Sequence, residues 1–148
     1  MLCALAGSGH EEATRSLMQY LNEESPWLRR EAVERVLEAN VGPLAREARA
    51  AASQGFEMVE LEDDLLPAIQ LAGFSGKRSL YDEVLKHHRS GYAPLFTLRA
   101  LARLDAERFC RDSYEMISSC RDGMEFNRII GLLSMCAPCG CRLANIRG

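Results

Sequence analysis

Apolar residues along this chain recur with the period of an α-helix, and strict alternation of the strand type is missing. Ala13, Leu17, Tyr20 and Leu21 fall at i, i+4, i+7 and i+8, which is one face of a helix. Leu28, Ala32, Val33, Val36 and Leu37 form a second face, opened by Ser25 as N-cap and Pro26 at the first helical position. Asn40, Gly42 and Pro43 close that helix and start a third, with Leu44, Ala48 and Ala51 inward. Leu61, Leu65, Ile69 and Ala72 predict a fourth, closed by Gly73, and Leu80, Val84 and Leu85 a fifth, stopped near Gly91. Pro94 opens a sixth carrying Leu98, Leu101 and Ala102. Phe109, Met116, Ile117 and Cys120 mark a seventh, and Phe126, Ile129, Ile130 and Leu133 an eighth. Leu2 to Ala6 reads as the end of one more helix. The fold class expected is all-α, with one helical domain over residues 1–135 and a loosely ordered, cysteine-rich tail over 136–148.

The helix starts are regular. Those near Pro26, Leu61, Pro94 and Gly123 lie about 35, 33 and 29 residues apart, one helical hairpin per period. Sliding the chain by three such periods lays Ala4-Leu5-Ala6 on Ala100-Leu101-Ala102 and Tyr20-Leu21 on Met116-Ile117. It also lays Val33, Val36 and Leu37 on Ile129, Leu132 and Leu133. Apolar positions coincide while exposed ones differ, as a shared packing geometry without a shared surface would leave them. The pattern predicts a right-handed α-α superhelix of about four helical hairpins.

The run from Ala4 to Ala13 with Leu17 and Leu21, and then Ser25-Pro26-Trp27-Leu28-Arg29-Arg30-Glu31-Ala32-Val33 with Leu37, resembles the short HEAT repeats. These armadillo-like units occur in α-solenoids and in phycobilin-lyase-type proteins. Their pattern has an acidic or small residue and Pro at the turn, an Arg one turn in, and Ala-Val facing the neighbouring helix. Pro26, Arg29 or Arg30, Ala32 and Val33 stand in those places. The resemblance is good over residues 4–37, weaker over 94–134 and poor between, where Glu57 to Asp64 replaces a clean turn. It implies a HEAT-like solenoid rather than an activity. The Trp-Leu-Gly-Tyr spacing of tetratricopeptide repeats is absent around Trp27. Solenoid ends need polar caps, and the first helix pair has none. The expectation is therefore a chain cut from a longer array, or a homo-oligomer (a homodimer) through a terminal helix pair.

Composition narrows the function classes. With 47% hydrophobic and 26% charged residues in 148, the chain is not disordered. A net charge of −3 is too mild to favour nucleic acid or a membrane surface. No run reaches the ~18 apolar residues of a membrane span. The opening Met1-Leu2-Cys3-Ala4-Leu5-Ala6 is too short for a signal peptide and has no basic residue before it, so a cytoplasmic location is expected. Charge is unevenly placed. Residues 1–74 carry 6 basic and 13 acidic side chains, whereas residues 75–148 carry 12 basic and 8 acidic. Glu57, Glu60, Glu62, Asp63 and Asp64 crowd one interrupted turn, and Arg99, Arg103, Arg108 and Arg111 ridge neighbouring helices. Opposite-signed ends steer a polar protein partner. The expected function is a non-enzymatic protein-binding module, an adaptor or an immunity-like binder. Its partner contacts are expected at Glu57, Glu60, Glu62, Asp63, Asp64, Arg99, Arg103 and Arg111, with no cofactor.

Signals for chemistry are weaker. Cys136-Ala137-Pro138-Cys139-Gly140-Cys141 is half of a zinc motif, so Cys136, Cys139 and Cys141 are the weak metal candidates; without a βαβ context a redox role is weaker still. Cys3, Cys110 and Cys120 lie in apolar patterns, where a free thiol acts as a small hydrophobe. His10-Glu11-Glu12 lacks the second histidine of a zinc-protease helix. Glu83 and His87 share a helix face, read as solvated surface, and His88 points elsewhere. Gly73-Phe74-Ser75-Gly76-Lys77 has the wrong spacing for a Walker loop and reads as a helix C-cap. No Gly-x-Ser-x-Gly elbow occurs. The rival classes are an enzyme, metal-dependent or lyase-like, and a nucleic-acid binder through Arg78, Arg99, Arg103 and Arg111. HEAT-like DNA glycosylases resemble longer chains with more aromatics and a basic groove; this chain has one Trp.

Overall fold

A computed structural model describes residues 1–136, and every regular element among them is helical. There are nine α-helices among the described residues: α1 (Leu2–Gly7), α2 (Glu11–Leu21), α3 (Pro26–Glu38), α4 (Gly42–Ser53), α5 (Leu65–Ser75), α6 (Tyr81–Arg89), α7 (Pro94–Leu104), α8 (Ala106–Ser118) and α9 (Gly123–Cys136). Short 3-10 turns cover Gly55–Met58, Glu62–Asp64 and Arg78–Leu80.

Local chemistry accounts for the boundaries. Pro26, Pro43 and Pro94 stand in the first turns of α3, α4 and α7, where a missing N–H costs nothing. Asp105 caps α8, its Oδ1 accepting from the Arg108 N–H at 3.0 Å. Asn40 adopts a left-handed conformation (φ 50°) between α3 and α4.

Two apolar clusters share α5. The first joins Ala13, Leu17, Leu21, Val33, Val36, Leu44 and Ala48 of α2–α4 to Leu71. The second joins Ile69 and Ala72 to Val84, Leu98, Leu101, Phe109 and Leu133 of α6–α9. Helix α5 is buried on both sides, which explains why its sequence is apolar around most of its circumference. Gly73 lies in its interior rather than at its end. A Cβ there would come within 2.9 Å of the Ala100 Cα of α7, so the missing side chain lets the two backbones approach. The helix instead ends at Gly76, in the left-handed conformation (φ 67°) usual after a helix.

Each helix packs on its neighbour in sequence or on the next but one: α3 on α4 and α5, α5 on α7, α7 on α8 and α9. Arg29 ties three of these segments together. It is buried, its Nε donates to the Glu23 carbonyl at 2.9 Å, and a terminal nitrogen donates to Gln54 Oε1 at 3.1 Å.

Several residues assigned inward by the helical pattern face outward. Tyr20, Leu28 and Leu61 are exposed, the last because α5 starts only at Leu65. Cys110 is exposed on α8 and disulfide-bonded, so it is not the free, apolar-packed thiol expected. Helix α9 runs through Cys136, and residues 137–148 of the expected tail lie outside the described residues.

Candidate functional site

Helices α3, α5 and α7 together present a face on which two of the candidate arginines meet. Arg99 and Arg103, one turn apart on α7, line a small cavity with Arg30 and Glu34 of α3 and Gln70 and Phe74 of α5. Arg103 stacks on Phe74, its guanidinium 4.5 Å from the ring centroid. Arg30 donates to Glu34 at 2.7 Å and to Glu31 at 3.2 Å. Among the described residues Arg99 and Arg103 enter no ion pair.

The acidic turn lies at the other end of α5. Glu57, Glu60, Glu62 and Asp63 are exposed and form no ion pair among the described residues. Asp64 differs from them. Its Oδ2 accepts from the Leu61 N–H at 3.0 Å and the Glu60 N–H at 3.3 Å, so it holds the turn that the other four decorate. The negative field of Glu62 and Asp63 adds to burial in raising the Tyr92 phenol above its ordinary pKa.

Arg111 is exposed on α8, apart from the α3–α5–α7 cavity. Arg108 belongs to an internal network. It sits over the Tyr81 ring at 4.2 Å, donates to Asp82 at 2.6 Å and approaches Asp112 at 3.8 Å. The Tyr81 hydroxyl donates to Asp112 at 2.8 Å. Burial and that carboxylate push the Tyr81 pKa far up, so the ring keeps its proton.

Both histidines of α6 are partly buried, so His87 is less solvated than the surface position expected for it. His87 stacks on Phe56, centroids 5.9 Å apart, and meets Glu83 at 3.5 Å. His88 is half-buried, with Nδ1 at 2.9 Å from the hydroxyl of the fully buried Thr97. Burial, with Arg128 and Arg89 nearby, lowers its pKa. The His87–Phe56 and His88–Thr97 pairings do not show in the sequence, since both join α6 to residues of other elements.

Of the metal candidates, Cys136 is buried against the Leu95 carbonyl at 3.6 Å, and burial pushes its thiol up, away from the thiolate a metal needs. Cys139 and Cys141 lie outside the described residues. No group of three or more metal-ligating side chains converges among the described residues, and no described helix is long and apolar enough to cross a membrane. Comparison with family models, with curated proteins and with solved structures finds no match to this chain. The class that stands is an all-α protein of closely packed helices.

Proposed function

We propose that this chain is a non-enzymatic protein-binding module, a stack of helical hairpins of short HEAT type whose exposed charged residues contact another chain. The observation that carries the reading is the separation of roles between packing and exposed side chains. Arg29, Asp64, Arg108 and Asp105 are tied into structural contacts, whereas Arg99, Arg103, Glu57, Glu60, Glu62 and Asp63 are in no ion pair among the described residues. Packing of each helix on its near sequence neighbours supports the hairpin stack, because repeat arrays are held by neighbour contacts. An adaptor or immunity-like role suits the acidic half, which fits a basic partner.

The test is affinity capture from the source lysate at low and moderate salt, read by mass spectrometry. One stoichiometric protein partner, released as salt rises, is expected. Recovery of the chain without a protein partner overturns the reading, in favour of self-association where it comes back as a stable oligomer and of the enzyme class where it holds a stoichiometric metal or chromophore.

A second reading, self-association, has its own observation. Leu2, Tyr20 and Leu28 line an open apolar groove between α1, α2 and α3, rimmed by Glu31, Arg35 and Glu38. A rim of mixed sign can complement itself across a two-fold axis. Light scattering that gives the monomer mass at every concentration removes this homodimer.

A further inference from the structure

The cavity between α3, α5 and α7 has features that a generic docking face does not need. It is small, about 80 Å³, against the roughly 300–1,000 Å³ of sites that enclose a whole cofactor or drug-sized ligand. Its charge is one-sided. Glu34 and Glu31 neutralise Arg30, but Arg99 and Arg103 have no counter-ion among the described residues, so two positive charges stand uncompensated at its wall. Phe74 forms an apolar wall that lowers the local dielectric and strengthens any charge placed there. The Arg103 guanidinium carbon lies 4.5 Å from the centroid of that ring and enters no ion pair among the described residues.

The Arg30 guanidinium at this cavity is held by Glu34 and Glu31, to which its terminal nitrogens donate.

We infer that the cavity is a binding site for a compact dianionic oxyanion of the phosphate monoester class. Arg99 and Arg103 supply the matching charge, and the Gln70 side chain supplies a further donor. The phosphate group fits the cavity, and whatever it is attached to stays outside. Guanidinium groups suit this ligand because their planar forks donate two hydrogen bonds to one oxyanion. The inference is independent of the protein-binding reading: it requires only the cavity, and either can fail without the other.

The test titrates the full chain with inorganic phosphate, and separately with a phosphoserine peptide, by calorimetry at constant ionic strength against a chloride control. Saturable binding is expected, weakened about tenfold or more in Arg99→Gln, which removes one charge-assisted contact, and unchanged in Arg15→Gln, exposed on α2. Should Arg99→Gln fail to fold by circular dichroism, Arg103→Gln takes its place. Binding of inorganic phosphate identifies a free phosphate as sufficient, and binding of the peptide alone identifies a phosphorylated chain; both support the site. Heats no greater than those of chloride in both arms, or equal affinities of wild type and the folded arginine variant, overturn it.

Discussion

At the scale of single residues, the side chains that decide the packing are among those that looked unremarkable. Gly73 sits where α5 and α7 approach most closely, and a Cβ would lie within 2.9 Å of Ala100 Cα and 3.2 Å of its Cβ. Both neighbours are backbone or immediately attached to it, so little can yield. Gly73→Val is expected to cost about 1–3 kcal/mol, seen as a lower urea midpoint at unchanged slope. Gly123→Val, with open space around it, lacks that steric cost. His88 carries a pH signature. Burial lowers its pKa below the ordinary 6.5, so the unfolded chain takes up the proton first. Stability is full above the unfolded value, falls as pH drops through about 6.5, and levels off below the folded pKa. Arg89 and Arg128 act in the same direction. His88→Gln is expected to flatten the decline of melting temperature between about pH 7 and pH 5; parallel curves for the two proteins would refute this.

At the scale of elements, the helices were legible where caps and period agreed and blurred where they conflicted. Ser25-Pro26, Asn40 and Pro94 mark boundaries that the structure keeps. The start of α5 was misplaced because Leu61 continues the apolar period, while Asp64 folds the preceding residues into a turn that takes Leu61 out of the helix. Its end was misplaced because a glycine reads as a terminator, and only the contact with Ala100 reveals Gly73 as an interior spacer. The acidic cluster thus divides by role. Asp64→Ala removes the acceptor of two backbone N–H groups and is expected to cost about 1 kcal/mol, as cap losses do. Glu62→Lys, exposed and in no ion pair among the described residues, is expected to change stability by no more than about 0.5 kcal/mol. Comparing the two by chemical denaturation separates the residue that builds the turn from one available to a partner.

At the scale of the molecule, the all-α class was legible because helical period needs only neighbours within a few turns. The α3–α5–α7 cavity was not, because Arg30, Gln70 and Arg103 are brought together only by packing of helices distant in sequence. The candidate arginines were visible as a one-sided charge, but not which of them would be engaged. Arg108 is held by Asp82 and Tyr81, while Arg99 and Arg103 are in no ion pair among the described residues. We propose that exposed charge defines what this chain does. The most direct measurement is the affinity of the captured partner for the wild type, for Arg99→Glu/Arg103→Glu, and for Glu57→Lys/Glu60→Lys/Glu62→Lys, each at low and moderate salt. Charge reversal in at least one patch is predicted to weaken binding tenfold or more with the fold intact, and moderate salt to weaken the wild type in the same direction. Wild-type affinity in both variants, indifferent to salt, would contradict the account.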